Sequence, residues 1–184
     1  MKELSLHLLD VAQNSLSAGA TAVDLSLRVR KGWLTMSVRD NGRGMEPEFL
    51  ADVLDPFTTS RTTRSVGLGL PLLRLTAEQT GGRLTVDSAA GRGTVVEAVL
   101  DTGHIDCPPM GDLGETLALL IQGAPRVEFT FTCDWDGRQF RVDTRELREI
   151  LGEEVSLAEP EVILWLKDYL AEGLAEMAGL QEME

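Results

Sequence analysis

Two cysteines in 184 residues, Cys107 and Cys133, exclude a disulfide framework, and they lack the paired spacing of a zinc site. A reducing compartment suits them. Long hydrophobic runs are missing too: the longest uninterrupted ones, Leu117 to Ile121 and Val162 to Leu166, have five residues, against the ~20 of a membrane span. Glu3, His7 and Asp10 interrupt the amino-terminal stretch before it can form the apolar core of a signal peptide. No membrane association is expected, and the expected location is the cytoplasm. There is no internal repeat and no low-complexity tract.

Basic residues are scarce in one half only. Residues 1–103 hold 12 acids against 11 bases, whereas residues 104–184 hold 18 against 6, so nearly all of the net charge of −13 lies after Gly103. An acidic surface repels phosphate backbones; nucleic acid is not an expected partner, and a basic protein surface fits better. With 43% apolar and 26% charged residues the chain is an ordinary globular one. At roughly 150 residues per domain, it amounts to one domain or one plus a small appendage.

Residues 2–18 have a helical pattern, with Glu3, His7, Asp10, Asn14 and Ser17 forming a polar stripe and Leu4, Leu8, Val11 and Ala12 an apolar one. Val23 to Val29 and Leu34 to Val38 alternate around a Lys31-Gly32 turn, predicting a hairpin. A short helix from Pro47 to Leu54 follows, then a Ser/Thr/Arg loop over 55–66. A helix from Leu68 to Gln79 admits Pro71 only in its first turn. Strands Leu84 to Ser88 and Thr94 to Leu100 make a second hairpin. Since no helical crossover separates the paired strands, the pattern predicts α+β: a two-layer sandwich, its antiparallel or mixed sheet covered by helices on one face.

Pro108, Pro109, Gly111 and Gly114 mark a linker after Gly103, which divides the chain into an expected domain over 1–103 and a small acidic α+β domain over 104–184. The latter comprises a helix from Glu115 to Gln122, a hairpin about Asp136-Gly137, and helices from Thr144 to Leu151 and Glu161 to Ala178. Asp143 or Thr144 caps the first of these two helices. Trp135, Trp165 and Tyr169 belong either to the core or to an interface, and the core is the expectation.

Three Gly-x-Gly pairs, at 42 and 44, 67 and 69, and 91 and 93, can expose backbone amides to phosphate. Neither common nucleotide fingerprint is present: no Lys-Ser/Thr follows a six-residue glycine loop, and GLGLPL lacks the third glycine of a dinucleotide turn. Asp40 ends an apolar strand just before a glycine turn, which suits either an acceptor at a pocket floor or a turn cap. Asp10 and Asn14, four apart, share a helical face; they are either solvated or oxygen ligands for a magnesium ion that also holds phosphates. From Pro56 to Ala77 there is no acid, while Arg61, Arg64 and Arg74 are present. An anion is attracted there.

In order, LLDVAQNSLSAGAT resembles the N box, and DNGRGM the first glycine box, of the gyrase, heat-shock chaperone, histidine kinase and MutL (GHKL) ATPase superfamily. LDPFTTSR is similar to the F box of histidine kinases, GLGLPLL to the second glycine box, and GRGT to the closing strand motif. Together these cover about residues 1–100, and the whole resembles stand-alone histidine-kinase-like ATP-binding proteins. The resemblance implies an ATP site beneath a mobile lid, with Asn14 holding Mg2+ and Asp40 reading the adenine amine. It implies a base pocket of Gly42, Gly44 and Met45, with Thr94 near adenine. Gly67, Leu68, Gly69 and Leu70 would cover the phosphates, Arg61 and Arg64, in the lid from Thr58 to Val66, would meet the terminal phosphates, and Phe57 of the F box would belong to the nucleotide-binding set.

One departure bears on mechanism. Hydrolytic members carry a glutamate base four residues before the magnesium asparagine, and here that position is Asp10, one methylene shorter. No phosphoacceptor hairpin of a sensor kinase is expected, and His7, inside the N-box helix, is expected at the pocket edge or surface. The expectation is a cytoplasmic Mg-ATP-binding regulatory protein whose lid controls a surface offered to a protein partner. The alternative is a kinase acting in trans on a partner's histidine or serine.

Overall fold

The computed structural model describes residues 3–54, 69–152 and 155–178. Six strands form a single mixed sheet: β1 (Ala22–Arg30), β2 (Trp33–Asp40), β3 (Arg83–Ala89), β4 (Gly93–Asp101), β5 (Glu128–Trp135) and β6 (Arg138–Asp143), in the order β3-β4-β2-β1-β5-β6. The helices are α1 (Leu4–Ser17), α2 (Pro47–Leu54), α3 (Gly69–Gln79), α4 (Leu113–Gly123), α5 (Thr144–Leu151) and α6 (Pro160–Ala178). The expected α+β sandwich is the one observed.

Period-two alternation explains the core. In β1, Val23, Leu25, Leu27 and Val29 are buried; in β2, Leu34, Met36 and Val38; in β4, Val96, Ala98 and Leu100. The register aligns these side chains in rows, so that Val86, Val96, Val38, Leu25, Phe131 and Val142 cross the whole sheet on one face. That face meets α1 and α3 in the N-terminal half, and α4 packs between α1 and α6. Lys31 and Gly32, both at positive φ, close the first hairpin as a two-residue turn requires.

The compositional break after Gly103 does not interrupt the sheet. All the pairings are antiparallel except one: β5 lies parallel to β1 in register from Ala22↔Glu128 to Val29↔Trp135. The hairpin of residues 128–143 thereby extends the sheet of the first hundred residues. Arg30 braces the seam by donating to Asp134 Oδ2 at 2.6 Å, and this bond, with those from Gln139 and Gly137, holds the Asp134 carboxyl down to about 2.

Helix ends are tied across the same boundary. Glu3, at the N-cap of α1, makes no side-chain cap; the carbonyls of Pro109 and Met110 instead accept from the amides of Leu4 at 2.9 Å and Ser5 at 2.8 Å. Asp112 caps α4 through Glu115 N, which starts that helix two residues earlier than its apolar pattern suggested. Of the two candidates for α5, Asp143 is the cap, accepting from Arg145 N at 2.9 Å, while Thr144 Oγ1 accepts from Phe129 N in β5.

Candidate functional site

One register row differs from its neighbours. Ser88, Thr94, Asp40, Val23 and Phe129 cross the helix-covered face together, and three of the five are polar. Asp40 is the last residue of β2, so strand alternation turns its side chain inward with Leu34, Met36 and Val38, and it is buried. Both its oxygens are engaged: Ser15 Oγ donates to Oδ2 at 2.7 Å and Gly42 N to Oδ1 at 2.8 Å. A buried carboxylate held by neutral donors keeps lone pairs for a further donor.

Above this row lies a cleft of about 640 Å³, within the size range of small-molecule sites. Of the residues the sequence singled out, Asn14, Asp40, Gly44, Met45, Leu70 and Thr94 line it together. Val96, Phe49 and Val53 add apolar walls suited to a flat base, and Arg43 and Glu46 stand among the lining residues from the glycine turn.

The turn is pinned at several points. Asn41 Oδ1 accepts from the amides of Thr21 and Ala22, Arg43 N donates to Ala18 O, and Gly91 N donates to Arg43 O. Met45 N donates to Ser88 Oγ at 2.9 Å, and the same hydroxyl lies 2.9 Å from Thr94 Oγ1. Gly44 has φ +67°, and a Cβ there would strike the Ala89 carbonyl oxygen, so glycine alone lets this turn seat against the β3–β4 hairpin.

The remaining expected residues stand differently. Gly42 is not among the cleft-lining residues; its amide holds Asp40. Asp10 also lies off the cleft wall and packs against the first residue of α3, where a methyl on Gly69 would come 3.0 Å from Asp10 Cβ and 3.2 Å from Oδ2. The carboxylate thus sits at the N-terminus of the helix that follows the expected lid. Phe57, Arg61, Arg64, Gly67 and Leu68 lie outside the described residues. Arg74 pairs with Glu78 at 2.8 Å on α3.

His7 is a correction. It is fully buried where α1 meets α3, with Nε2 3.3 Å from Thr76 Oγ1, and it does not line the cleft. Ser15 and Ser88 were missed. Ser15 follows Asn14 directly and was hidden by the polar stripe chosen for α1; Ser88 is visible only once β3 is registered on β4.

Among the described residues, no three His, Cys, Asp or Glu side chains gather as a metal site. Asn14 lines the cleft and carries a side-chain oxygen, and an ion held by one side chain together with phosphates and water matches the habit of Mg2+. No described helix is long and apolar enough to cross a membrane.

The profile of histidine kinase-, DNA gyrase B-, and HSP90-like ATPases matches residues 2–104. The chain belongs to this family. Among its relatives, the cell-division control histidine kinase PdhS of Brucella anthropi is 32% identical over 110 residues, 53% of this chain and 10% of that protein. Sporulation kinase C of Bacillus subtilis is 28% identical over 100 residues, 54% of this chain and 23% of the kinase. The chain therefore spans a tenth to a quarter of these relatives' length. In structure it is similar to the MutL ATPase domain of Aquifex aeolicus complexed with ADP, with TM-score 0.52 and 18% identity, covering 82% of this chain and 69% of that one. That likeness is one of fold, and family membership makes ATP the expected ligand.

Proposed function

We propose that the chain is a cytoplasmic regulatory ATPase: Mg-ATP occupies the cleft over Asp40, and nucleotide state controls a surface offered to a protein partner. The observation that carries this reading is Asp40 itself. It is a buried carboxylate with a donor on each oxygen, at the floor of a cleft with apolar walls, in the part of the chain that the family covers.

Bound ATP would supply the transferable phosphoryl group and the charge that magnesium offsets. The chain's residues recognise, orient and enclose. Asp40 accepts from the adenine amine, Met45 and Val96 bracket the base, and Thr94 with Ser88 offers hydroxyls at the same end of the row. Asn14 contributes its side-chain oxygen to the metal. By the family resemblance Gly67, Leu68, Gly69 and Leu70 would cover the phosphates, Arg61 and Arg64 would meet the terminal ones from the lid, and Phe57 would belong to the nucleotide-binding set. Asp10, beside the start of α3, is the base available to orient water, and its short reach makes turnover slow.

Calorimetric titration with Mg-ATP tests the base contact. Asp40→Asn places amide hydrogens against donors on one side, so affinity falls on the order of 30- to 100-fold, the scale of a lost charge-assisted hydrogen bond. Binding of wild-type strength by that variant contradicts the reading.

A second reading is favoured by one finding: the matched relatives are named as kinases. In it the chain phosphorylates a histidine or serine of another protein. Incubation with radiolabelled ATP and candidate partners separates the two, because label on a partner marks a kinase, whereas nucleotide-dependent binding without label marks a switch.

A further inference from the structure

Residues 104–184 hold most of the acid, and the cations among them are largely committed at home. Arg141 and Arg145 bind Asp143, Arg141 also binds Glu146, Lys167 binds Glu115, and Arg148 donates to the carbonyls of Pro125 and Val127. By contrast Glu161, Asp168, Glu172 and Glu176 of α6 are exposed, and the structure gives them no ion pair among the described residues. At about 100° per residue these four fall on one arc of the helix. Trp165 and Tyr169 share that arc.

These two aromatics were expected in the core and are not there: Trp165 is 47% and Tyr169 39% exposed. Their rings stack with centroids 5.3 Å apart at 10°, and Tyr169 leans on Phe140 of β6 at 5.8 Å. Gly173 makes this possible, since any Cβ there would collide with the Phe140 ring. Phe140 thus anchors the ladder from below, and the indole at its outer end keeps its exposure. Leu164, beside it, is 64% exposed. The helix itself packs against β6, an edge strand that pairs only with β5 among the described residues.

We propose that this outer stripe of α6 docks a basic, arginine-bearing segment of a partner protein. A guanidinium lies on the Trp165–Tyr169 stack, and neighbouring cations of the segment meet Asp168, Glu172 and Glu176. Arginine is favoured over lysine because its planar cation stacks on an indole while its edges still donate to carboxylates. A second copy is disfavoured, because a two-fold contact would set four acids against four. Anionic lipid and nucleic acid are repelled by the same charge. The inference is independent of nucleotide binding and is tested without nucleotide.

The probes are short fluorescent peptides of alternating arginine and serine, lysine and serine, or glutamate and serine, titrated against the full chain by anisotropy. The arginine peptide binds about five- to tenfold tighter than the lysine peptide, and the acidic one does not bind. Trp165→Ala removes that preference, Trp165→Phe retains most of it, and Asp168→Asn with Glu172→Gln weakens both basic peptides about tenfold. Equal binding of arginine and lysine peptides, unaffected by Trp165→Ala, overturns the proposal in favour of diffuse charge. Absence of binding at low salt overturns it as well. So does a dimer in sedimentation equilibrium that Trp165→Ala dissociates, which would make a second copy the occupant. Should Trp165→Ala alter the fold by circular dichroism, the surface variant Asp168→Lys with Glu172→Lys takes its place and is expected to abolish binding; retained binding counts against the proposal.

Discussion

His7 shows what a single neighbour does to a side chain. It belongs by spacing to the polar stripe of α1, yet α3 packs on that side and closes it from water. Burial lowers its pKa to about 4, because the imidazolium loses its hydration. Nδ1 has no partner. The unfolded imidazole titrates near 6.5, so between about 4 and 6.5 the unfolded chain holds a proton that the folded chain lacks. Stability from this group is complete above ~6.5 and is lost as pH falls through that window, by an amount on the order of 1–3 kcal/mol. Urea titrations at stepped pH should show that loss in the wild type and a flatter profile in His7→Leu. At neutral pH the variant should be equal in stability or slightly better, since it removes an unsatisfied polar atom, and Thr76 keeps its bond to Leu72 O.

Among the elements, the glycine turn after β2 is the most constrained. It links Asp40 to the wall of the cleft, and its position is set by Asn41 on β1 and by Gly44 against Ala89. Gly44→Ala must distort either the turn or the β3–β4 hairpin, because the obstruction is backbone. The expected cost is about 2–4 kcal/mol, from positive φ and displaced packing together. Thermal denaturation measures it, and calorimetry should show ATP affinity falling with it. Most elements were legible beforehand. The hairpins announced themselves by alternation and two-residue turns, and α2 began at its proline as expected. Helix faces were harder, since the spacing on α1 says which residues lie together but not which side a neighbour will cover.

For the molecule as a whole, the parallel pairing of β1 with β5 matters most. The composition shift at Gly103 and the end of the family match at residue 104 both suggest a seam. The sheet runs through it. A chain ending at residue 104 would leave β1 as an unpaired edge, strip α4 from α1, and orphan the amides of Leu4 and Ser5. Open apolar edges associate. Such a truncation should aggregate or melt well below the full chain, as differential scanning calorimetry and light scattering would record; a monomer with an undiminished melting temperature would show that the first 104 residues stand alone.

Local chemistry was determined by the sequence: strand alternation, glycine turns, caps and the ordered motifs that place Asn14 and Asp40 near one site. These depend on neighbours a few residues away, where backbone geometry leaves little choice. The tertiary structure decided what depends on long-range contact. It buried His7 and exposed Trp165 and Tyr169, because those outcomes turn on which helix packs where. It also brought Ser15 to Asp40 and joined β5 to β1, since an edge strand's hydrogen bonds accept any partner of matching pattern and only the closed core selects one.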